Sequence, residues 1–182
     1  MKILAIDQGT TATKAFTYEQ DGAFTPIASL EHRQIYPRPG WVEHDAAELL
    51  ENIMECVRKA GQVDAIGIDN QGETIVAWDA HTGQPICNAI VWQDDRTRDE
   101  TERLKAEGHE ARTLAISGLP LDPYFSASKL GWIMRNVELA EPLRRQGRLR
   151  LGTSDAYFFG RLTRNFVTDI TTASRTGLMD LE

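Results

Sequence analysis

The chain has 182 residues and a net charge of −7, enough length for one sizeable core or a core with an appendage. The acidic balance argues against broad contact with nucleic acid or an anionic membrane, since both need a basic surface. Cys56 and Cys87 are too few for a disulfide framework, no apolar run reaches membrane-spanning length and no charged-then-apolar leader opens the chain, so a cytoplasmic protein is expected.

The apolar run Ile3 to Ile6 reads as a strand buried on both faces. Thr13 to Tyr18 is strand-like, Glu19 to Gly22 is a turn, and Ala23 to Glu31 returns as a strand. After the break at Pro37 to Gly40, Asp45 caps a helix, with Glu48 placed as in a capping box. Ala46, Leu49, Leu50, Ile53, Met54, Val57 and Ala60 recur at helical spacing until Gly61 ends the helix. A second buried strand is expected over Ala65 to Ile68, then a strand pair over Thr74 to Trp78 and Ile86 to Trp92. Asp94 to Glu107 is a polar, solvated helix. Ser126 caps a helix striped by Ala127, Leu130, Ile133, Met134 and Val137. Arg144, Arg145, Arg148 and Arg150 cluster at a helix end, where the dipole favours cations. Leu149 to Leu151 reads as a short strand and Ser154 to Gly160 as a helix start. Together these predict an α/β fold with one mixed central sheet and flanking helices.

The chemistry concentrates where the first strand ends, at Asp7-Gln8-Gly9-Thr10-Thr11. Gly9 permits a tight turn and close approach of backbone N–H groups to oxygen atoms, and Thr10 and Thr11 add short donors. Asp7 would repel a bare phosphate, so it makes sense beside one only with Mg²⁺ or a water between them. An ordinary hairpin turn uses the same residue types.

These residues also carry a resemblance. Ile6 to Thr11, Gln34 to Asp45, Ile66 to Thr74, Asn88 to Gln93, Leu121 to Ser126 and Thr168 to Thr176 are similar, in order and spacing, to the FGGY carbohydrate kinases, nearest to their glycerol kinase subgroup. The Pro-Gly-Trp-Val-Glu-His run and Asp122-Pro123-Tyr124-Phe125-Ser126 are its most specific parts. The resemblance implies a ribonuclease-H-like fold of the actin and hexokinase type. It implies ATP and Mg²⁺ as cofactors, and transfer of the γ-phosphoryl group to a hydroxyl of a small polyol or sugar. It places residues 1–182 as the N-terminal part of the first kinase domain. The second domain and the general base are expected beyond residue 182, so the isolated fragment is expected to be inactive.

Carried over by position, Asp7 would organise Mg²⁺, directly or through water, and Gly9, Thr10, Thr11 and Lys14 would hold the phosphates. Lys14 reads equally as a surface lysine on a strand. The acceptor would meet Gly72, Glu73, Trp92, Asp94 and Tyr124. Gly72 stands where the glycerol kinase pattern has arginine; losing that guanidinium removes a charge-assisted hydrogen bond of roughly 1.5–3 kcal/mol and leaves room for a longer acceptor. Trp92-Gln93-Asp94-Asp95-Arg96 fits the W-x-D-x-R pattern of ketose kinases such as xylulokinases, which keeps a ketose acceptor open, although acids at 94 and 95 also suit a helix start. A non-catalytic actin-like or regulatory module is the rival of another class, and Asn70-Gln71-x-Glu73 with Asp122-Pro123-Tyr124 argues against it. Homo-oligomerisation is left open.

Overall fold

The computed structural model describes residues 1–182. In chain order its elements are β1 (Lys2–Gln8), β2 (Ala12–Glu19), β3 (Phe24–Glu31), β4 (Glu43–His44), α1 (Ala46–Ala60), β5 (Ala65–Asn70), β6 (Ile75–Asp79), β7 (Ala89–Ile90), α2 (Arg98–Ala106), α3 (Glu110–Ser117), α4 (Ser126–Asn136), α5 (Ala140–Arg145), β8 (Leu149–Thr153), α6 (Ser154–Thr163) and α7 (Ile170–Ala173). They fall into two compact units, Met1–Gln34 with His44–Gln71, and Ile35–Glu43 with Gly72–Glu182. No helix is long and apolar enough to cross a membrane.

The first unit is a four-stranded mixed sheet in the order β3-β2-β1-β5. β1 runs antiparallel to β2 and parallel to β5, and β2 runs antiparallel to β3. Helix α1 packs across β1, β2 and β3. Its buried residues Ala46, Leu49, Ile53, Cys56 and Ala60 fall three and four apart, as one helical face requires. Leu49 and Ile53 are fully buried, each contributing about 1.5–3 kcal/mol. Asp45 caps the helix by accepting from the N–H groups of Ala47 and Glu48. The reciprocal arm of the expected capping box is redirected, because the Glu48 carboxylate accepts from the Arg33 N–H instead.

Two expectations for this unit change. In β1, Leu4, Ile6 and Gln8 are buried while Ala5 and Asp7 are exposed, so only one face is covered. In β5, Ala65, Ile66 and Gly67 are all exposed, because β5 forms the sheet edge and α1 lies over the other strands. An apolar run fits a doubly covered strand and an edge strand equally well.

The second unit holds a separate sheet in the order β4-β7-β6-β8, so there are two four-stranded sheets where one central sheet was expected. β6 pairs antiparallel with both β7 and β8, with Ile75 opposite Ile90 and Thr153. All five residues of β6 are buried. Ile75, Ala77 and Ile90 share a core with Ile133 of α4 and Ala140 of α5. Helix α2 begins at Arg98, later than expected, α3 and α7 are additional, and α5 is the helix that ends in Arg144 and Arg145. Of the arginine cluster, Arg144 and Arg145 pair with Glu141, and Arg148 pairs with Asp79 of β6.

A buried ion network ties the 35–43 segment to the turn after β7. The Arg96 side chain is 2% exposed and donates to Asp94 and Glu43, with its Nε 2.8 Å from Asp94 Oδ1 and Nη2 2.7 Å from Glu43 Oε1. Its guanidinium carbon lies 3.8 Å from the Trp41 ring centre and 4.6 Å from that of Trp132. Asp94 also accepts from the N–H groups of Val42 and Arg96, and Glu43 accepts from the Asn88 amide. Removing one partner of a buried pair leaves the other charge without compensation. Asp94→Ala should therefore lower the unfolding free energy by about 3–5 kcal/mol, read from denaturant midpoints. A loss below about 1 kcal/mol would be that of a surface pair.

Candidate functional site

The loop after β1 is shaped from behind. Gly9 N–H donates to the Ala12 carbonyl at 3.1 Å, closing the turn. Gly9 does not take up a left-handed backbone; its value is space, since an added Cβ would lie 3.3 Å from the Ala12 oxygen and 3.5 Å from Asp7 Oδ1. Two donors converge on each of two successive carbonyls. Gln8 and Gln71 donate to the Gly9 oxygen at 2.9 and 3.2 Å. His32 Nε2 and Gln34 Nε2 donate to the Thr10 oxygen at 2.9 and 2.8 Å.

Asp7 sits exposed at the end of β1, opposite Lys14 of β2 and in register with Asp69 of β5. On adjacent strands such residues share a face. Asp7 therefore stands between a cation and a second carboxylate. Asp69 was not singled out from the sequence; the signal available was that the two parallel strands each end in an acid. An exposed carboxylate beside a glycine turn with two hydroxyls and a lysine is a donor set whose chemistry could hold a Mg²⁺-bound phosphate.

Behind the loop, His32 and His44 meet edge to face, with ring centres 4.5 Å apart. His44 is fully buried, and its Nε2 lies 2.9 Å from the Gln34 carbonyl oxygen. Neither Nδ1 meets a hydrogen-bond partner within the protein. Burial pushes the His44 imidazole down to about 4, with His32 adding to the effect. Burial also lowers His32, against the opposing pull of the Thr10 carbonyl and Glu48.

The second unit brings together Glu73, Trp92 and Tyr124. Glu73 is 9% exposed and its Oε1 accepts from Arg175 Nε at 2.7 Å. The Arg175 guanidinium also lies over the rings of Tyr124 and Phe125, at 5.6 and 5.0 Å. Trp92 and Tyr124 pack edge to face at 5.4 Å. The Tyr124 backbone is fixed twice, its N–H by the Asp122 carboxylate and its carbonyl by Lys129 Nζ at 2.6 Å. Lys129 is fully buried and also donates to the Pro123 carbonyl at 2.9 Å. Burial pushes its ammonium down to about 8, against the pull of Asp94, Glu73 and Asp122. Beside Glu73, a side chain at Gly72 would find open room, with Thr172 Cγ2 the nearest atom at 3.9 Å.

Asp94 does not join this group as an available acceptor. Its two oxygens accept from Val42 N–H and from the backbone and guanidinium of Arg96, so it neither offers free lone pairs nor starts the helix. Arg175 and Lys129 were missed from the sequence. Arg175 lies inside the matched block Thr168 to Thr176, where only its neighbourhood drew notice. Lys129 occupies an inward position of α4 with Ser126 and Ile133, and a lysine there reads as a break in the apolar stripe.

The model of the FGGY family of carbohydrate kinases, N-terminal domain, matches residues 2–182. A glycerol kinase of Paraburkholderia phytofirmans is 48% identical over 98% of the chain, and one of Burkholderia cenocepacia is 47% identical over the same share. The chain spans 38% of the length of each of these relatives. Among solved structures, Plasmodium falciparum glycerol kinase with ADP superposes with a TM-score of 0.88 at 34% identity, covering 99% of this chain and 38% of that one. A xylulose kinase from Rhodospirillum rubrum gives 0.82 at 27% identity, covering 100% of this chain and 38% of that one.

The histidine pair makes a prediction in pH. Because the folded value of His44 is about 4 against an ordinary 6.5, the unfolded chain takes up the proton first as pH falls. Stability linked to His44 is fully present above about 6.5 and is lost as pH drops toward 4, by on the order of 3 kcal/mol. The His44 ring protons in an NMR titration should show a midpoint near 4. A midpoint near 6.5 would mean a solvated ring.

Proposed function

The chain belongs to the FGGY family of carbohydrate kinases, and on that premise we propose that it serves, within a longer polypeptide, in the transfer of the γ-phosphoryl group of ATP to a hydroxyl of a polyol or sugar. The observation that carries this reading is Glu73. It is a nearly buried carboxylate beside the aromatic corner of Trp92 and Tyr124, able to accept hydrogen bonds from hydroxyls while the ring faces cover a carbon chain. No core needs a carboxylate there.

Phosphoryl transfer depends mainly on positioning and on neutralising charge. Asp7 would hold Mg²⁺ or its waters, Gly9 would leave room for the phosphate, and the N–H and hydroxyl groups of Thr10 and Thr11 would orient its oxygens. Lys14 would add a positive charge near them. Bound Mg²⁺ would supply neutralisation of the phosphoryl oxygens. On the acceptor side Glu73 and the Tyr124 hydroxyl would orient the reacting carbon, and Arg175 would keep Glu73 aimed. Residues 1–182 form the phosphate and acceptor side of the first kinase domain in this reading, with the general base and the adenine contacts supplied from beyond residue 182. We place it in the cytoplasm, since the free thiols of Cys56 and Cys87 suit a reducing compartment.

The acceptor follows from two departures that turn out to be unlike each other. Asp94 is committed to Arg96 and Val42, which takes away the residue that favoured a ketose. Gly72 opens onto free space. We therefore take the acceptor to be a polyol of glycerol's chemistry, with room for a longer carbon chain at Gly72.

Asp7→Asn in the full-length protein should lower kcat by roughly 100-fold or more while acceptor KM stays within about twofold, because the lost charge acts on the phosphoryl group. Equal kcat would reduce Asp7 to a turn residue. Gly72→Arg should lower kcat/KM for four- and five-carbon polyols relative to glycerol, measured on both enzymes with glycerol, tetritols, pentitols and ketopentoses. Wild type preferring glycerol over every longer acceptor would remove the enlarged site. Preference for a ketopentose would return the assignment to the ketose kinases.

A further inference from the structure

We propose that His32, Gln34, His44 and Gln71 are positioning residues that aim the backbone of the phosphate loop; this rests on reading Gly9 to Thr11 as that loop. A trans peptide points its C=O and the next residue's N–H in opposite directions. The Gly9 carbonyl is drawn toward Gln8 and Gln71, so the Thr10 N–H points away from them. The Thr10 carbonyl is drawn toward His32 and Gln34, so the Thr11 N–H points away from that pair in turn. Each peptide plane is thereby fixed by two side chains, and backbone N–H groups of fixed direction are what an anionic oxygen needs.

The proton positions in this network are forced. A carbonyl only accepts, so His32 must carry its proton on Nε2 and Gln34 must turn its amide nitrogen to Thr10. That leaves the Gln34 carbonyl facing His44, which must then also carry its proton on Nε2. Both Nδ1 atoms are consequently bare and buried without a protein partner, at a cost in stability. A turn needing only its shape would gain nothing from this. The arrangement makes sense where the direction of two peptide planes has to be fixed before a ligand arrives. His44 touches neither the loop nor any ligand position; it acts through Gln34.

The test uses the full-length protein, with calorimetric binding of Mg–ADP alongside steady-state kinetics. Gln34→Glu keeps the shape but cannot donate to the Thr10 carbonyl, and Gln34→Leu removes both ends of the relay. Each should weaken Mg–ADP binding and raise the KM for ATP by roughly 10- to 100-fold, with acceptor KM within about twofold. His44→Leu should act in the same direction. His44→Gln should recover most of the loss, since its amide nitrogen can donate where the imidazole Nε2 did. Wild-type nucleotide affinity in both Gln34 variants would overturn the positioning role while leaving the kinase reading intact. Equal damage to nucleotide and acceptor binding would also overturn it, as a general structural defect. A wild-type protein that binds no Mg–ADP would overturn the phosphate loop and this inference together.

Discussion

The second unit is organised around one buried cation. Arg96 lies in the corner formed by two perpendicular tryptophan rings and is held by two carboxylates. A guanidinium taken from water is tolerable only where its donors are filled and its faces are covered. Meeting that demand recruits Trp41, Val42 and Glu43 from one part of the chain, Asp94 from another and Trp132 from α4. The Trp92–Tyr124 corner inherits its rigidity from this arrangement, since Trp92 precedes Asp94 by two positions and Lys129, on the same helix as Trp132, grips the Tyr124 carbonyl. A buried lysine and a buried arginine thus frame the corner without being its contact residues.

The first unit solves a different problem with neutral groups. In the proposed reading its loop receives a strongly charged ligand, and fixed cations behind it would be costly in the empty state. Amides and uncharged imidazoles supply direction instead. Dipoles aimed in advance need no reorganisation when charge arrives. The low His44 value belongs to the same logic, because a protonated ring there would add a cation to a site without a buried counterion.

Much of this was legible in the residues. The α1 stripe, its Asp45 cap and the Gly61 stop follow from spacing and local chemistry, and the structure bears them out. Family membership was legible in motifs that bind no ligand of their own, such as Pro-Gly-Trp-Val-Glu-His, which the structure ties into the Arg96 network. What could not be read was which partner a group takes at long range. Asp94 looked like either a ligand contact or a helix start, because nothing local reveals that the Val42 N–H, from far back in the chain, shares its oxygens with Arg96. The edge position of β5 and the split into two sheets are also facts about pairing, and an apolar run carries no record of its neighbours. Arg175 stayed hidden because its counterion lies far away in sequence.

That distance bears on how the protein is made. Glu73 and Arg175 stand 102 positions apart. At translation rates of about 5–20 residues per second, roughly 5 to 20 seconds separate their synthesis. During that interval the β6 sheet can gather its strands, while the Glu73 carboxylate remains hydrated. The corner of Glu73, Trp92 and Tyr124 is therefore completed only once residue 175 has been made, and a ribosome that pauses before it would hold a folded scaffold with an unfinished corner.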